Sequence, residues 1–403
     1  MGTNKILLLE NIHPAATEHL KKSGFSVENM TKALGDDDLK KKLTSEDYLA
    51  VGIRSKTQLT SEILEAVKNI HTIGAFCIGT NQIDLERANR KGIPVFNAPY
   101  SSTRSVAELV IGEVIALARR FCDQSKQVHQ GIWEKSAKGS IEVRGKTLGI
   151  VGYGHIGSQV SVLAESIGMN VIFYDIVKKL PLGNSKPTGS LDDLLKNSDF
   201  VSLHVPATEI TKNMIGKAQF KVMKEQSYLI NASRGSVVVI DDLVEILKSG
   251  KLAGTAVDVF PDEPESNNEK FSSGLQGLPN VIMTPHVGGS TEEAQEAIGV
   301  EVAESLIRYL KLGSTYGSVN FPNVDPGQKK SECQRIMNVH KNVPGVLSDI
   351  NGIVSKVGAN IEAQHLSTDP NIGYLVMDFA RGPAEQLIQE INKLKTSIRT
   401  YQI

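Results

Sequence analysis

Cysteine is scarce in this chain of 403 residues, and its three thiols, Cys77, Cys122 and Cys333, lie far apart. Their spacing provides neither a disulfide framework nor a C-x-x-C zinc motif, so we expect a reducing compartment and no metal site. Long apolar runs are also missing. The run from Ile6 to Leu9 is too short for the core of a signal peptide, and no stretch reaches the length of a transmembrane helix. These absences predict a cytoplasmic protein with no membrane partner.

An excess of charge of one sign is missing too. Lysine and arginine number 44 and the acidic residues 45, which gives a net charge of −1. A nucleic-acid platform would need a basic face, so we expect no nucleic-acid partner. The length is sufficient for two or three domains with sizeable cores.

The chain does contain a glycine-rich turn between a predicted strand and a predicted helix. An apolar run ends at Gly152-Tyr-Gly-His-Ile-Gly157, and residues 158–167 then have helical spacing. Gly152 would permit the tight turn, Gly154 would let a pyrophosphate approach the backbone, and Gly157 would let the helix pack closely on the strand. The N–H groups at the helix N-terminus would attract the phosphates.

An acidic residue follows at the expected distance. The second predicted strand, Asn170 to Tyr174, leads directly into Asp175. A carboxylate there can accept both hydroxyls of the adenosine ribose and would repel a 2′-phosphate. The order of strand, glycines, helix, strand and acid predicts a Rossmann unit that prefers NAD over NADP.

Helices and strands alternate along the first three quarters of the sequence, which predicts α/β domains with parallel sheets. Residues 101–130 read as one long helix and residues 291–310 as another. Because this pair brackets the Rossmann unit, we predict a flavodoxin-like α/β domain made of residues 1–104 and 290–325, with the NAD-binding domain of residues 105–289 inserted into it.

The C-terminal part has a different order of elements. Residues 318–331 contain Pro322, Pro326 and Gly327 with little periodicity, so they predict a linker. Residues 332–403 follow a βαββαβ order, which is the ferredoxin-like arrangement. About seventy residues are marginal for independent stability, so we expect pairing with another copy.

Three segments at predicted strand ends carry groups suited to chemistry. Arg234 follows one strand in Asn231-Ala-Ser-Arg-Gly235, Glu263 lies in a proline-braced loop, and His286 lies in a turn before a helix. Each alone has an ordinary structural interpretation. Together beside a dinucleotide motif they indicate hydroxy-acid oxidation, in which His is the base, a carboxylate supports its imidazolium, and Arg holds the substrate carboxylate.

These segments give the chain a specific resemblance. The glycine loop, Asn231-Ala-Ser-Arg-Gly235, Val257-Asp-Val-Phe-Pro-Asp-Glu-Pro264 and Thr284-Pro-His-Val-Gly-Gly-Ser-Thr291 resemble the D-2-hydroxyacid dehydrogenase family. Within it, residues 76–84, residues 96–108 and the C-terminal unit resemble members with an ACT regulatory domain. The resemblance covers essentially the whole chain. It implies NAD-dependent oxidation of 3-phospho-D-glycerate to 3-phosphohydroxypyruvate, the first step of serine biosynthesis.

The resemblance also implies roles for particular residues. The catalytic set would be Arg234, Glu263 and His286. The cofactor would contact Gly152, Gly154, His155, Ile156, Gly157, Asp175, Ala232, Ser233, Arg234, Asp258, His286, Val287, Gly288 and Gly289. The substrate would face Arg54, Ser55, Lys56 and Lys135. Lys56 stands where a second arginine is expected. The lysine ammonium is a point charge, whereas an arginine guanidinium can donate two parallel hydrogen bonds to one anion. His204, at a strand end, is interpreted as structural.

Regulation and assembly are implied in the same way. ACT domains bind amino acids between paired copies, and His340, Asn342 and Asn360 match positions that hold L-serine in serine-inhibited relatives. The alternative for Asn342 is that it caps a helix. The segment around Trp133 would reach across a dimer of nucleotide domains, with ordinary core filling as the alternative. Two kinds of contact together predict a homotetramer.

Two other functions stay open at this point. One is a different D-2-hydroxyacid dehydrogenase, acting on glyoxylate, lactate or formate or also reducing 2-oxoglutarate. A formate enzyme would be expected to have Gln in place of Glu263, and enzymes for small acids would lack Arg54, Lys56 and the ACT unit. The other is a non-catalytic, NAD-sensing corepressor. Such a protein needs no amino-acid-binding unit, and this chain has no basic interaction tail.

Overall fold

The computed structural model describes residues 4–264, 269–380 and 384–403. The chain divides into two compact units, of which unit 1 comprises Met1–Ser101 with Gln295–Ile403 and unit 2 comprises Ser102–Ala294. Each unit contains one parallel sheet, and unit 1 also contains a four-stranded antiparallel sheet. The predicted α/β class with a C-terminal ferredoxin-like unit is therefore confirmed. The described residues include no helix that is long and apolar enough to cross a membrane.

The parallel sheet of unit 1 has the strand order β2-β1-β3-β4-β5, which is the flavodoxin-like doubly wound order. Its elements are β1 (Lys5–Leu8), α1 (Pro14–Lys22), β2 (Ser26–Asn29), α2 (Asp36–Ser45), β3 (Ala50–Ile53), α3 (Ser61–Ala66), β4 (Thr72–Ala75), α4 (Leu85–Arg90) and β5 (Val95–Phe96). Strand β2 was not predicted, because it is a polar edge strand with no buried residue.

The C-terminal long helix belongs to this same unit. Helix α11 (Glu292–Leu312) contributes Val302 and Leu306 to a buried cluster that also contains Ile6 and Leu8 of β1. A segment distant in sequence thus completes the core under the N-terminal sheet.

Unit 2 is built on a seven-stranded parallel sheet of order β12-β11-β10-β9-β6-β7-β8. Helices cover both faces, with one buried cluster beneath α5 and α7 and another on the opposite face. The elements are α5 (Thr103–Arg119), α6 (Phe121–His129), β6 (Thr147–Val151), α7 (His155–Ser166), β7 (Asn170–Tyr174), β8 (Lys186–Pro187), α8 (Leu191–Asn197), β9 (Phe200–Leu203), α9 (Lys217–Val222), β10 (Ser227–Asn231), α10 (Ile240–Lys248), β11 (Leu252–Val257) and β12 (Val281–Met283).

The prediction of one helix over residues 101–130 was wrong. Helix α5 ends at Arg119, Arg120 has a left-handed φ of 52°, and α6 starts at Phe121. The apolar stripe that suggested one helix stops with α5, because α6 buries none of its residues. Trp133, just beyond α6, is 84% exposed, which excludes the core-filling interpretation.

The C-terminal unit, called the ACT unit below, has the βαββαβ order predicted for it and the antiparallel strand order β14-β15-β13-β16. Its elements are β13 (Cys333–Lys341), α12 (Val346–Val357), β14 (Ile361–Thr368), β15 (Ile372–Ala380), α13 (Ala384–Asn392) and β16 (Ser397–Gln402). The two helices cover one face of this sheet. On the other face Met337 and Tyr374 join the cluster that contains Tyr309 of α11 and Phe321. That face is covered within the chain, so it is not available for stacking on another copy.

The predicted linker is anchored by a buried arginine. Arg335 of β13 forms a two-pronged ion pair with Asp378 of β15 and also donates to the carbonyl oxygens of Leu312 and Gly327. The guanidinium therefore connects the ACT sheet to the end of α11 and to the linker at the same time.

Candidate active site

The glycine loop has the geometry that its sequence predicts. Gly152 has φ of +92°, and a Cβ there would lie 2.3 Å from the His204 carbonyl oxygen. A Cβ at Gly157 would lie 2.2 Å from the Gly152 oxygen, whereas one at Gly154 would meet nothing within 4 Å. The first and third glycines are thus required by close packing, and the middle one borders the open space that a pyrophosphate needs. Helix α7 begins here, with His155 and Ile156 in its first turn.

Asp175 lies directly after β7 and beside this loop. Its carboxylate accepts hydrogen bonds from the Tyr153 N–H at 2.9 Å and from the Val177 N–H at 2.9 Å. The Tyr153 ring stacks on Phe173 of β7, and its hydroxyl bonds to Ser161 and Ser185. The tyrosine between the first two glycines therefore ties the turn to the strand that carries the acid, which sequence reasoning did not detect.

His204 is held inside unit 2, as its structural interpretation requires. Its Nε2 lies 2.8 Å from the Ser202 hydroxyl, and burial lowers the pKa of its imidazole to about 3. The ring therefore stays neutral near neutral pH, and the His204 backbone forms one wall of the glycine turn.

The loop that carries Arg234 is organised by Asn231, the fully buried last residue of β10. Its side-chain oxygen accepts from the Ser233 N–H and hydroxyl, and its amide donates to the Arg234 carbonyl at 3.0 Å. Ala232 and Ser233 thereby form a compact turn. Gly235 follows in contact with the next loop, since a Cβ there would lie 2.0 Å from the Phe260 carbonyl carbon. The absence of a side chain lets the Arg234 loop touch the loop of Glu263.

The structure brings Glu263 and His286 together. Glu263 Oε2 lies 2.8 Å from His286 Nδ1, and Glu263 Oε1 accepts from the Phe260 N–H at 3.0 Å. The hydrogen bond to Glu263 raises the pKa of His286 above 6.5, against the opposing effect of burial. Burial would raise the pKa of Glu263, but the bonds from His286 and Phe260 hold it below its usual value. The pair is thus set for an ionised carboxylate that supports a protonated imidazole.

Asp258 holds the turn on which His286 lies. Its carboxylate is 1% exposed and accepts from the Thr284 hydroxyl and from the N–H groups of Val287 and Gly288, at 2.6, 2.8 and 2.9 Å. His286 has a left-handed φ of 54°, which is uncommon for a residue with a side chain. Gly289 completes the turn close to Ser102. The sequence predicted a cofactor contact for Asp258 but not this structural role.

The predicted substrate cations lie in both units. Arg54, Ser55 and Lys56 follow β3 in unit 1, where Arg54 is half-buried and the other two are exposed. Lys135 lies in unit 2, in an exposed segment between α6 and β6. Their substrate roles stay predictions.

The predicted effector residues lie at opposite ends of the ACT sheet, because His340 and Asn342 are beside the start of β15 whereas Asn360 is beside its end. His340 is buried, with Nδ1 at 2.9 Å from the Asn338 side-chain oxygen, whereas Asn342 and Asn360 are exposed. The Asn342 amide donates to the Asp369 carbonyl at 2.7 Å, and helix α12 has Gly345 at its N-cap. Asn342 therefore does not cap the helix. Asn360 donates to Glu362 at 3.2 Å.

The chain is similar to known proteins in both of its parts. Residues 111–288 match the family described as D-isomer specific 2-hydroxyacid dehydrogenase, NAD binding domain, and residues 336–399 match the AHAS small subunit-like ACT domain. Among solved structures, D-lactate dehydrogenase from Aquifex aeolicus complexed with NAD and lactic acid has a TM-score of 0.68. It is 30% identical, and the match covers 79% of this chain and 100% of that one. NAD-dependent formate dehydrogenase from Staphylococcus aureus has a TM-score of 0.65 at 29% identity, with coverage of 76% and 95%.

Curated relatives match over nearly the full length. The D-3-phosphoglycerate dehydrogenase of Dictyostelium discoideum is 50% identical over 396 residues, which is 98% of this chain and 96% of that protein. The enzyme of the same name from Escherichia coli strain K12 is 49% identical over 398 residues, with the same coverage. The resemblance seen in the sequence and the expectation of NAD as cofactor are confirmed. The chain therefore belongs to the D-3-phosphoglycerate dehydrogenase family, within the NAD-binding D-isomer specific 2-hydroxyacid dehydrogenases.

Proposed function

We propose that the protein oxidises 3-phospho-D-glycerate to 3-phosphohydroxypyruvate with NAD, as the first step of serine biosynthesis. The main observation in support is the 2.8 Å contact between His286 and Glu263. The chain is also about half identical to relatives named D-3-phosphoglycerate dehydrogenase. The Arg234 loop touches the loop of Glu263, so Arg234, Glu263 and His286 lie on neighbouring loops.

The pair has the arrangement that a general base needs. A carboxylate can only accept, so His286 Nδ1 carries a proton towards Glu263 and Nε2 of the neutral ring is left able to take one. In alcohol oxidation Nε2 accepts the hydroxyl proton, and ionised Glu263 stabilises the resulting imidazolium. Arg234 binds the substrate carboxylate through two N–H groups and polarises the reacting oxygen. NAD, when bound, would supply the acceptor for the hydride.

The glycine loop supports the cofactor half of the proposal. The open space at Gly154 and the N-terminus of α7 would hold the pyrophosphate, with His155 and Ile156 beside it. Asp175 would bind the adenosine ribose. Ala232, Ser233, Asp258 and the turn of Val287, Gly288 and Gly289 would hold the nicotinamide end.

An absorbance assay for NADH tests the reaction. Purified protein with NAD should oxidise 3-phospho-D-glycerate with a higher kcat/KM than D-lactate, glycolate or formate, and reduction of 2-oxoglutarate is measured in the reverse direction. A preference for an acid without phosphate would contradict the substrate assignment. Binding of NAD without turnover of any acid would support the corepressor alternative.

We also propose that L-serine binds the ACT unit and lowers turnover. The support is a series of contacts inside unit 1. Asn342 donates to the Asp369 carbonyl, and the Asp369 carboxylate accepts from Asn89 of α4 at 2.7 Å. Arg399 of β16 donates to the Lys68 and Ile70 carbonyls. A ligand held by His340 and Asn342 of one copy and by Asn360 of a paired copy would therefore act on residues joined directly to the substrate-binding domain. It shifts activity only by its differential affinity for two states.

The effector test uses the full chain, because removing the ACT unit would expose Tyr309 and Phe321. Titration with serine should inhibit the wild type. Asn342→Ala and Asn360→Ala should weaken inhibition and leave the uninhibited rate nearly unchanged, whereas Asn392→Ala, at the end of α13, should behave as wild type. Equal inhibition of all four proteins would contradict a site in the ACT unit.

Assembly and location complete the proposal. In the part of the chain that the structure describes, edge strand β14 pairs with β15 alone, so its outer edge is available to another ACT unit. Exposed Trp133 is available to a second nucleotide domain. Two such contacts give a homotetramer, which light scattering would measure. No disulfide joins the three cysteines, all of which are described, and this suits the cytoplasm.

A further inference from the structure

A buried carboxylate lies under the loop that carries the predicted substrate cations. Glu10 is 7% exposed, and its two oxygens accept three backbone N–H groups of that loop. Oε1 accepts from Arg54 at 3.1 Å and from Thr57 at 2.9 Å, and Oε2 accepts from Lys56 at 3.0 Å. Gln82, also 7% exposed, donates its amide to the Arg54 carbonyl. Glu10 thus accepts hydrogen bonds from the N–H groups of the loop, and Gln82 donates one to a carbonyl oxygen of the same loop.

The position of Glu10 follows from the sheet. Strands β1 and β3 are parallel neighbours, so the segments that follow their carboxyl ends lie side by side. Glu10 comes just after β1 and has a left-handed φ of 64°, and Asn11 has a φ of 52°. Two successive non-glycine residues in this region are a costly conformation that the surroundings must hold in place. Here it turns the chain so that the Glu10 side chain reaches the loop after β3.

The chemistry of this contact bears on substrate binding. Backbone N–H groups that converge on one point form a concave site for anions. In this loop a carboxylate of the protein uses those groups, which leaves the side chains of Arg54 and Lys56 for the substrate. Glu10 also supplies a negative charge beside two neighbouring cations, which reduces the repulsion between them. A loop fixed before the substrate arrives loses less conformational entropy on binding.

We propose that Glu10 is a positioning residue for substrate recognition, which holds the Arg54–Thr57 loop so that its cations can bind the phosphate of the substrate. Gln82 is the second clamp on the same loop. The inference rests on the proposed function, because it assigns Arg54 and Lys56 to the phosphate of phosphoglycerate.

The test compares Glu10→Gln and Glu10→Asp with Glu28→Gln. The amide of Glu10→Gln has a single oxygen, so at least one loop N–H loses its acceptor. We expect the KM for 3-phosphoglycerate to rise about tenfold or more, the scale for losing a hydrogen bond to a charged group. The kcat should stay within about twofold of wild type, because the catalytic pair lies in unit 2. Glu10→Asp keeps both oxygens and should have an intermediate KM. Glu28→Gln removes a carboxylate of the same unit that bonds to Lys5, Lys42 and Tyr48, so it should leave KM unchanged.

Two further readouts separate positioning from general damage. The Kd for NAD should not change in Glu10→Gln, and kcat/KM should fall more for 3-phosphoglycerate than for D-glycerate, which lacks the phosphate. A wild-type KM in Glu10→Gln would overturn the proposal, and so would equal losses with both substrates. If Glu10→Gln does not fold, Gln82→Ala decides: a KM raised about threefold supports the clamp and an unchanged KM overturns it. A wild type that does not oxidise 3-phosphoglycerate would instead overturn the proposed function.

Discussion

Glu113 is a buried acid whose ionisation should destabilise the fold, and replacing it gives a quantitative test. It lies on α5 and is 4% exposed, and neither carboxylate oxygen has a hydrogen-bond partner among the described residues. Burial, together with the negative charge of Asp258, raises the pKa of Glu113 to about 8. The group is therefore protonated in the folded protein at neutral pH.

The size of the effect follows from proton linkage. Below the ordinary pKa of 4.5 both states hold the proton, and the stability is fully present. As pH rises above that value, the unfolded chain ionises and the folded one does not, so stability falls by about 1.4 kcal/mol per pH unit. The loss is about 3 kcal/mol at pH 7 and levels off above the folded pKa. Glu113→Gln keeps the shape and removes the titration, so its advantage over wild type should grow across this range.

Urea unfolding followed by far-ultraviolet circular dichroism at pH 5, 6, 7 and 8 measures this difference. Glu113→Gln should gain about 1.4 kcal/mol relative to wild type for each pH unit. The control Glu142→Gln removes an exposed carboxylate of the same unit and should follow the wild type at every pH. A Glu113→Gln advantage that is the same at pH 5 and pH 8 would refute the reasoning, because it would mean that Glu113 does not titrate differently in the two states.

Three further predictions concern other charged groups. Glu263→Gln should lower the raised pKa of His286. The acid limb of the oxidation rate should therefore move to lower pH, and reduction of the keto acid, which needs the protonated ring, should slow at pH 7. Profiles of rate against pH in both directions measure these two changes. Asp175→Ala should weaken NAD binding and narrow the gap to NADP, and unchanged dissociation constants for both cofactors would contradict its role. Asp378→Ala should lower the free energy of unfolding, measured in urea, by about 3–5 kcal/mol, because it leaves Arg335 charged and buried. A decrease below about 1 kcal/mol would contradict that estimate.

Much of the fold could be predicted because the buried strands carry uninterrupted apolar residues. Strand β7, for example, has the bounds that its pattern predicts. The failures have two origins. Strands β2 and β8 are short edge strands without a buried residue, so their sequences contain no alternation of apolar and polar residues that would indicate a strand. The break at Arg120 depends on one left-handed residue, which no spacing of apolar residues reveals.

The candidate site was predictable only in part, for a different reason. Arg234, Glu263 and His286 have side chains typical of hydroxy-acid chemistry, and each follows a predicted strand, so the sequence indicates them. Asn231 and Glu10 act on backbone groups, and the partners of Glu10 lie 44 to 47 residues away in sequence. A hydrogen bond to a backbone group places no requirement on the residue type of the partner, so the sequence does not reveal which residue the partner is. A polar residue at the end of a buried strand is the signal that could have indicated both.

The difference between side-chain and backbone contacts also explains what sets the geometry of the proposed catalytic pair. The side chains of His286 and Glu263 are 50% and 34% exposed, and a pair this exposed contributes too little to hold two loops in register. Asp258 is almost completely buried and fixes the His286 turn through three hydrogen bonds, so the 2.8 Å contact follows from Asp258 rather than the reverse. A carboxylate has about four acceptor sites, and three donors leave about one. That remaining site is what the proposed contact with the nicotinamide end of NAD requires, so one buried residue can orient both the proposed base and the cofactor.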